Sequence, residues 1–117
     1  MQLNMKRLSS LLIVQITGEL DHHFEDELRR RIDREILRVL TKDVIFDFTE
    51  LTFMDSTGIG VLMGRYRTLE HLGGKAWFLM TTNGTGYFTK ILKILEMAGV
   101  FNYIYKCDSA TEPLNAN

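Results

Sequence analysis

Val44-Ile45-Phe46-Asp47-Phe48 passes through a short loop, Thr49 to Ser56, into Thr57-Gly58-Ile59-Gly60-Val61-Leu62-Met63-Gly64. The first run is apolar apart from Asp47 and predicts a strand. The second opens a helix predicted over 57–72, with Ile59, Leu62, Met63, Tyr66 and Leu69 on one face. Three glycines, Gly58, Gly60 and Gly64, fall in the first turns of that helix. Each costs a helix interior about 1 kcal/mol relative to alanine. Their grouping implies that a bare backbone is needed, either by a neighbouring element or by a binding partner. Ser56 and Thr57 stand beside that face. Ser56 and Asp55 both suit a helix N-cap, where a side-chain oxygen accepts a free backbone N–H.

Working outward, Leu3 to Leu8 alternates apolar and polar residues and predicts an edge strand. Ser9-Ser10 makes a tight turn into a second strand, Leu11 to Thr17, with Leu11, Ile13, Val14 and Ile16 toward the core. Strands this close pair as an antiparallel hairpin. Gly18 is expected to end the second strand. A first helix is predicted over 24–40, with Leu28, Ile32, Ile36, Val39 and Leu40 as its apolar stripe. Glu25, Asp26 and Glu27 complement its dipole and stand four residues before Arg29, Arg30 and Arg31. That arrangement makes the arginine run a solvated helix face rather than a nucleic-acid site.

Downstream, Gly73-Gly74 ends the second helix. Ala76-Trp77-Phe78-Leu79-Met80 reads as a strand covered on both faces. Asn83-Gly84-Thr85-Gly86 is a loop, 87–98 a third helix capped by Gly99, and 100–105 a last strand. The tail from about Asp108 is polar. Alternating strands and helices imply crossover connections, hence an α/β fold with a mixed, mostly parallel β-sheet and an antiparallel N-terminal edge hairpin.

The chain has 117 residues, which predicts one domain over 1–117. Its net charge of −1 gives no global field for nucleic acid or an anionic membrane. The lone Cys107 rules out an internal disulfide and fits a reducing compartment. Residues 1–10 do not read as a signal peptide, and no apolar run approaches the roughly 18 residues that span a bilayer. A cytoplasmic protein without a membrane or nucleic-acid partner is expected.

Functional loops of such sheets gather beyond the carboxyl ends of the parallel strands. Gly18 to His23 and Thr49 to Ser56 are expected there, with Asp21, Asp55 and Ser56 as polar members of one surface. A phosphate on Ser56 would add about −1.5 to −2 charges at a helix start that tolerates anions. It would repel a partner approaching over the glycine face. That is a docking switch without catalysis. A serine hydrolase would need G-x-S-x-G, but Met54 stands two residues before Ser56. A receiver-like phosphoprotein would need an acidic pair that Glu19/Asp21 supplies poorly. His22 and His23 are adjacent, so their side chains point apart unless the backbone bends. No metal site and no cofactor are expected.

Gly18-Glu19-Leu20-Asp21-His22-His23, with Leu51-Thr52-Phe53-Met54-Asp55-Ser56-Thr57-Gly58-Ile59-Gly60-Val61 and Gly64-Arg65-Tyr66, resembles the anti-sigma factor antagonists, which carry the STAS domain. The likeness runs from about residue 3 to residue 105. It implies helices mainly on one side of the mixed sheet and a partner-switching function. The unphosphorylated antagonist of that family binds an anti-sigma factor that is also a serine kinase, freeing the sporulation sigma factor sigma-F. The kinase phosphorylates the serine after the motif aspartate, here Ser56, and a serine phosphatase reverses this. The resemblance places Asp21 against an arginine of the kinase and puts Thr57, Gly58, Ile59 and Gly60 at the docking edge. Thr57 stands where close relatives have a second serine and is the alternative phosphorylation site. The loop Thr81 to Gly86 is longer than usual and lacks the usual proline. Another partner-switching pathway, such as general stress, is the alternative setting.

Overall fold

The computed structural model describes residues 1–38, 41–81, 97 and 103–107. The element order is β1 (Gln2–Leu8), β2 (Leu11–Leu20), a 3-10 turn (His22–Phe24), α1 (Glu25–Arg38), β3 (Asp43–Asp47), β4 (Leu51–Met54), α2 (Ser56–His71), β5 (Lys75–Thr81) and β6 (Tyr103–Cys107). The expected loop 83–86, third helix 87–98 apart from the helical, exposed Met97, cap at Gly99 and tail from Asp108 lie outside the described residues, as do Val39 and Leu40.

The sheet has the order β1-β2-β3-β5-β6, with β4 joined to β2. β1 and β2 are antiparallel, and every other pairing is parallel. This is the mixed sheet with an antiparallel edge hairpin that the hydrophobic pattern implies. Register explains the core. Leu12, Val44 and Ala76 stand in one row across the sheet, and Val14, Phe46 and Phe78 in the next. All six are buried. Leu3 and Met5 pair with Ile16 and Val14, so the same face continues onto the edge strand, where both are partly buried. Arg7, one step further, donates to Glu35 O at 2.7 Å and to Thr41 Oγ1 at 2.9 Å, fixing the end of α1 over this face. Phe48 and Phe78 meet edge to face with centroids 5.1 Å apart, a favoured aromatic geometry.

Several expectations need correction. Over 11–17 the buried residues are Leu12, Val14 and Ile16, while Leu11 and Ile13 are half-buried. Four consecutive apolar residues hide the period of two, so the phase is set by register rather than by composition. Gly18 does not end the strand. At φ 92 it forms an irregularity, after which β2 runs on to Leu20 and pairs with β4. A glycine within a strand marks such a bulge. The loop Thr49 to Ser56 therefore contains a strand, β4. β5 is covered unequally. Ala76 and Phe78 are fully buried on one face, while on the other Leu79 is buried but Trp77 only half-buried.

α1 buries Leu28, Ile32 and Ile36. Its arginines pair with acids as anticipated, but Arg29 takes Asp26 rather than Glu25. α2 buries Gly58, Val61, Leu62, Arg65 and Leu69, while Ile59, Met63 and Tyr66 are only partly covered. The inward stripe is thus turned by about one residue from the expected one. The reason is Arg65, 7% exposed, which reaches across to α1 and holds Asp33 Oδ1 at 2.7 Å. Gly73 closes α2 at φ 78, and a Cβ on Gly74 would lie 1.8 Å from the Lys42 carbonyl oxygen. Gly74 is therefore required by close backbone approach.

Candidate functional site

The bulge at Gly18 and the short strand β4 together build the site. Leu20 stands opposite Met54 in the β2–β4 ladder, and the Asp55 N–H donates to Leu20 O at 3.3 Å. Thr52 Oγ1 adds a hydrogen bond to Gly18 O at 3.1 Å across the same seam, between residues 34 apart in sequence. The ends of two distant segments are thereby held side by side.

Asp55 is the N-cap of α2. Its backbone is extended, and Oδ1 accepts from the Thr57 N–H at 3.0 Å. Of the two cap candidates read from the sequence, the aspartate takes the role. Ser56 is released from it and becomes the first residue of the helix, exposed to solvent. Thr57 is half-buried.

The glycines divide. Gly58 is buried, and a Cβ there would lie 2.3 Å from Met54 Cγ, 2.6 Å from Met54 Sδ and 3.1 Å from Leu20 Cδ2. Its bare backbone serves internal packing, a reason within the fold for this glycine. A Cβ added to Gly60 or Gly64 would meet nothing within 4 Å. Gly60 is exposed and Gly64 half-buried, so packing gives no reason for either. Ile59, between Gly58 and Gly60, is half-buried against the core.

On the neighbouring segment Asp21 caps the 3-10 turn. Its Oδ1 accepts from the His23 N–H at 3.0 Å and lies 3.1 Å from His23 Nδ1. The His23 N–H holds the Asp21 carboxyl below its ordinary range; burial pushes the other way, and the His23 and His22 rings reinforce the downward pull. His22 Nδ1 lies 3.9 Å from Asp55 Oδ2, which ties this turn to the α2 cap. The two rings stand with centroids 4.1 Å apart. The expectation that they point apart fails because the 3-10 turn bends the backbone. An aspartate two residues before an amide it can cap was the signal for that bend.

Asp47 is 8% exposed, and its Oδ1 accepts from the Thr49 N–H at 3.0 Å and the Thr49 hydroxyl at 2.6 Å. It holds the turn after β3, which leaves it poorly placed as a phosphoacceptor.

The STAS domain family matches residues 2–112, and the chain belongs to that family. It is similar to the anti-sigma F factor antagonist of Paenibacillus polymyxa, 32% identical over 114 residues, covering 97% of this chain and 92% of the relative. The anti-sigma F factor antagonist of Lysinibacillus sphaericus is 35% identical over 68 residues, 58% of each chain. Among solved structures, the anti-sigma factor antagonist SpoIIAA in its unphosphorylated form superposes with a TM-score of 0.71 at 26% identity, covering 91% of this chain and 88% of that one. The phosphorylated form of the Bacillus cell fate determinant SpoIIAA gives the same score and identity, covering 91% of each chain.

Proposed function

We propose that this chain is an anti-sigma factor antagonist, controlled by phosphorylation of Ser56. Unmodified, it docks to an anti-sigma factor that is also a serine kinase, and so releases the sporulation sigma factor sigma-F. The kinase then modifies Ser56, the complex separates, and a serine phosphatase restores the binding form. The protein acts by binding alone, in the cytoplasm, without cofactor, nucleic acid or membrane. No described helix is long and apolar enough to cross a bilayer.

The observation that carries this reading is the exposed Ser56 on the first turn of α2, beside an aspartate that already caps the helix. The hydroxyl is not needed for capping, so modifying it leaves the Asp55–Thr57 bond intact. A helix start accommodates an anion. The phosphate therefore changes the surface without unfolding the domain. Asp21, Asp55, Thr57, Ile59 and Gly60 form the docking surface around it, with Gly58 packed beneath. An open backbone at Gly60 allows a partner to approach α2 closely. The relatives named as anti-sigma F factor antagonists support the choice of partner.

Calorimetry with the cognate anti-sigma kinase tests the docking half. Wild type and Ser56→Ala bind, and Ser56→Asp binds at least about tenfold more weakly, a difference of roughly 1.4 kcal/mol. Undiminished binding by Ser56→Asp contradicts the charge-gated account.

A further inference from the structure

The turn between β2 and α1 gathers side chains that ligate metals. Asp21, His22 and His23 each offer one ligand atom, and these atoms lie within 4.8 Å of one another. His23 Nδ1 and Asp21 Oδ1 are 3.1 Å apart. Two ligands of a tetrahedral zinc ion, each at about 2.0–2.1 Å, stand about 3.4 Å from one another. The pair is thus already close to ligand spacing. His22 brings its ring beside that of His23 and its Nδ1 to 3.9 Å from Asp55 Oδ2. Asp55 is itself held in place as the cap of α2.

We propose that Asp21, His22 and His23 form a surface site for a divalent transition metal of the zinc class. Two imidazole nitrogens and a carboxylate oxygen match the ligand preference of Zn²⁺. Magnesium and calcium favour all-oxygen sites and are poorly suited. The histidine side chains are 67% and 69% exposed, so a metal reaches them without opening the fold. The three donors come from one turn, which the His22–Asp55 contact ties to the start of α2. The inference rests on this turn geometry and not on phosphorylation of Ser56.

Titration of the full chain with Zn²⁺ alone, followed by calorimetry, tests it. One saturable site is expected. His22→Gln and His23→Gln each weaken it by more than the roughly tenfold that losing even a ligand's outer hydrogen-bond partner costs. His71→Gln, at the far end of α2, leaves it unchanged. Circular dichroism of both variants matches wild type, since the rings are exposed. The proposal is overturned by the absence of a saturable site, by a site that survives both His22→Gln and His23→Gln, or by one that only His71→Gln removes.

Discussion

The Asp55 N–H donates to the carbonyl oxygen of Leu20 at 3.3 Å, closing a parallel ladder that ends beside the start of α2. Through it, a turn bearing Asp21, His22 and His23 becomes the neighbour of Ser56's helix. Polar groups from two distant segments then act as one surface.

The packing of Gly58 makes the first prediction. Met54 and Leu20 are fully buried, so neither can move aside freely for a Cβ on Gly58. Gly58→Ala is expected to destabilise the fold by about 1–3 kcal/mol, the usual effect of overpacking. Gly60→Ala and Gly64→Ala meet open space and are expected to stabilise by up to about 1 kcal/mol, through helix propensity. Urea denaturation of the three variants checks the ordering. In the double variant Gly58→Ala/Met54→Ala, the added methyl occupies part of the vacated space, so the loss is smaller than the sum of the two single losses.

The Arg65–Asp33 pair makes the second. Burial pulls the Arg65 guanidinium below its ordinary pKa, and Asp33 opposes that pull. Asp33→Ala would leave a buried cation without its carboxylate, whereas Arg65→Met leaves an aspartate that is about a third exposed. The expected loss is about 2–3 kcal/mol for Asp33→Ala and less for Arg65→Met. Thermal unfolding of both variants measures it, and equal losses would argue against a buried, charge-dependent tie.

The third prediction concerns pH. The folded state holds the Asp21 carboxyl below its unfolded value of 3.8, chiefly through the His23 N–H. The native state therefore binds fewer protons there. The resulting stabilisation is present above the unfolded pKa and disappears as pH falls through the folded one. Asp21→Asn should be less stable than wild type at neutral pH, and the gap should narrow as pH falls below 3.8. Denaturant unfolding at stepped pH follows this, and a gap independent of pH would point to a different cause.

Much of the fold was legible because long patterns carry it. The β1–β2 hairpin, the stripe Leu28-Ile32-Ile36 and the glycine pair after α2 are all spaced as their elements demand. What escaped were features decided by contacts between distant segments. β4 is only four residues long, and its burial does not alternate, because its ends are buried and its middle is exposed. Gly18 reads as a terminator until its ladder with β4 makes it a bulge. The inward face of α2 includes Arg65 and Gly58, residue types that hydrophobic periodicity does not count. At the site, the prominence of Ser56 was legible from its place between an aspartate and a glycine-rich helix. The division of labour with Asp55 was not, because serine and aspartate are equally good caps and only geometry chooses between them.

The most direct measurement incubates the full chain with its cognate anti-sigma kinase and ATP and maps the modified residue by mass spectrometry. The account predicts one phosphate on Ser56, absent in Ser56→Ala, with loss of the kinase complex as it accumulates. Phosphate on Thr57 or elsewhere in wild type, with Ser56→Ala modified to the same extent, would contradict it.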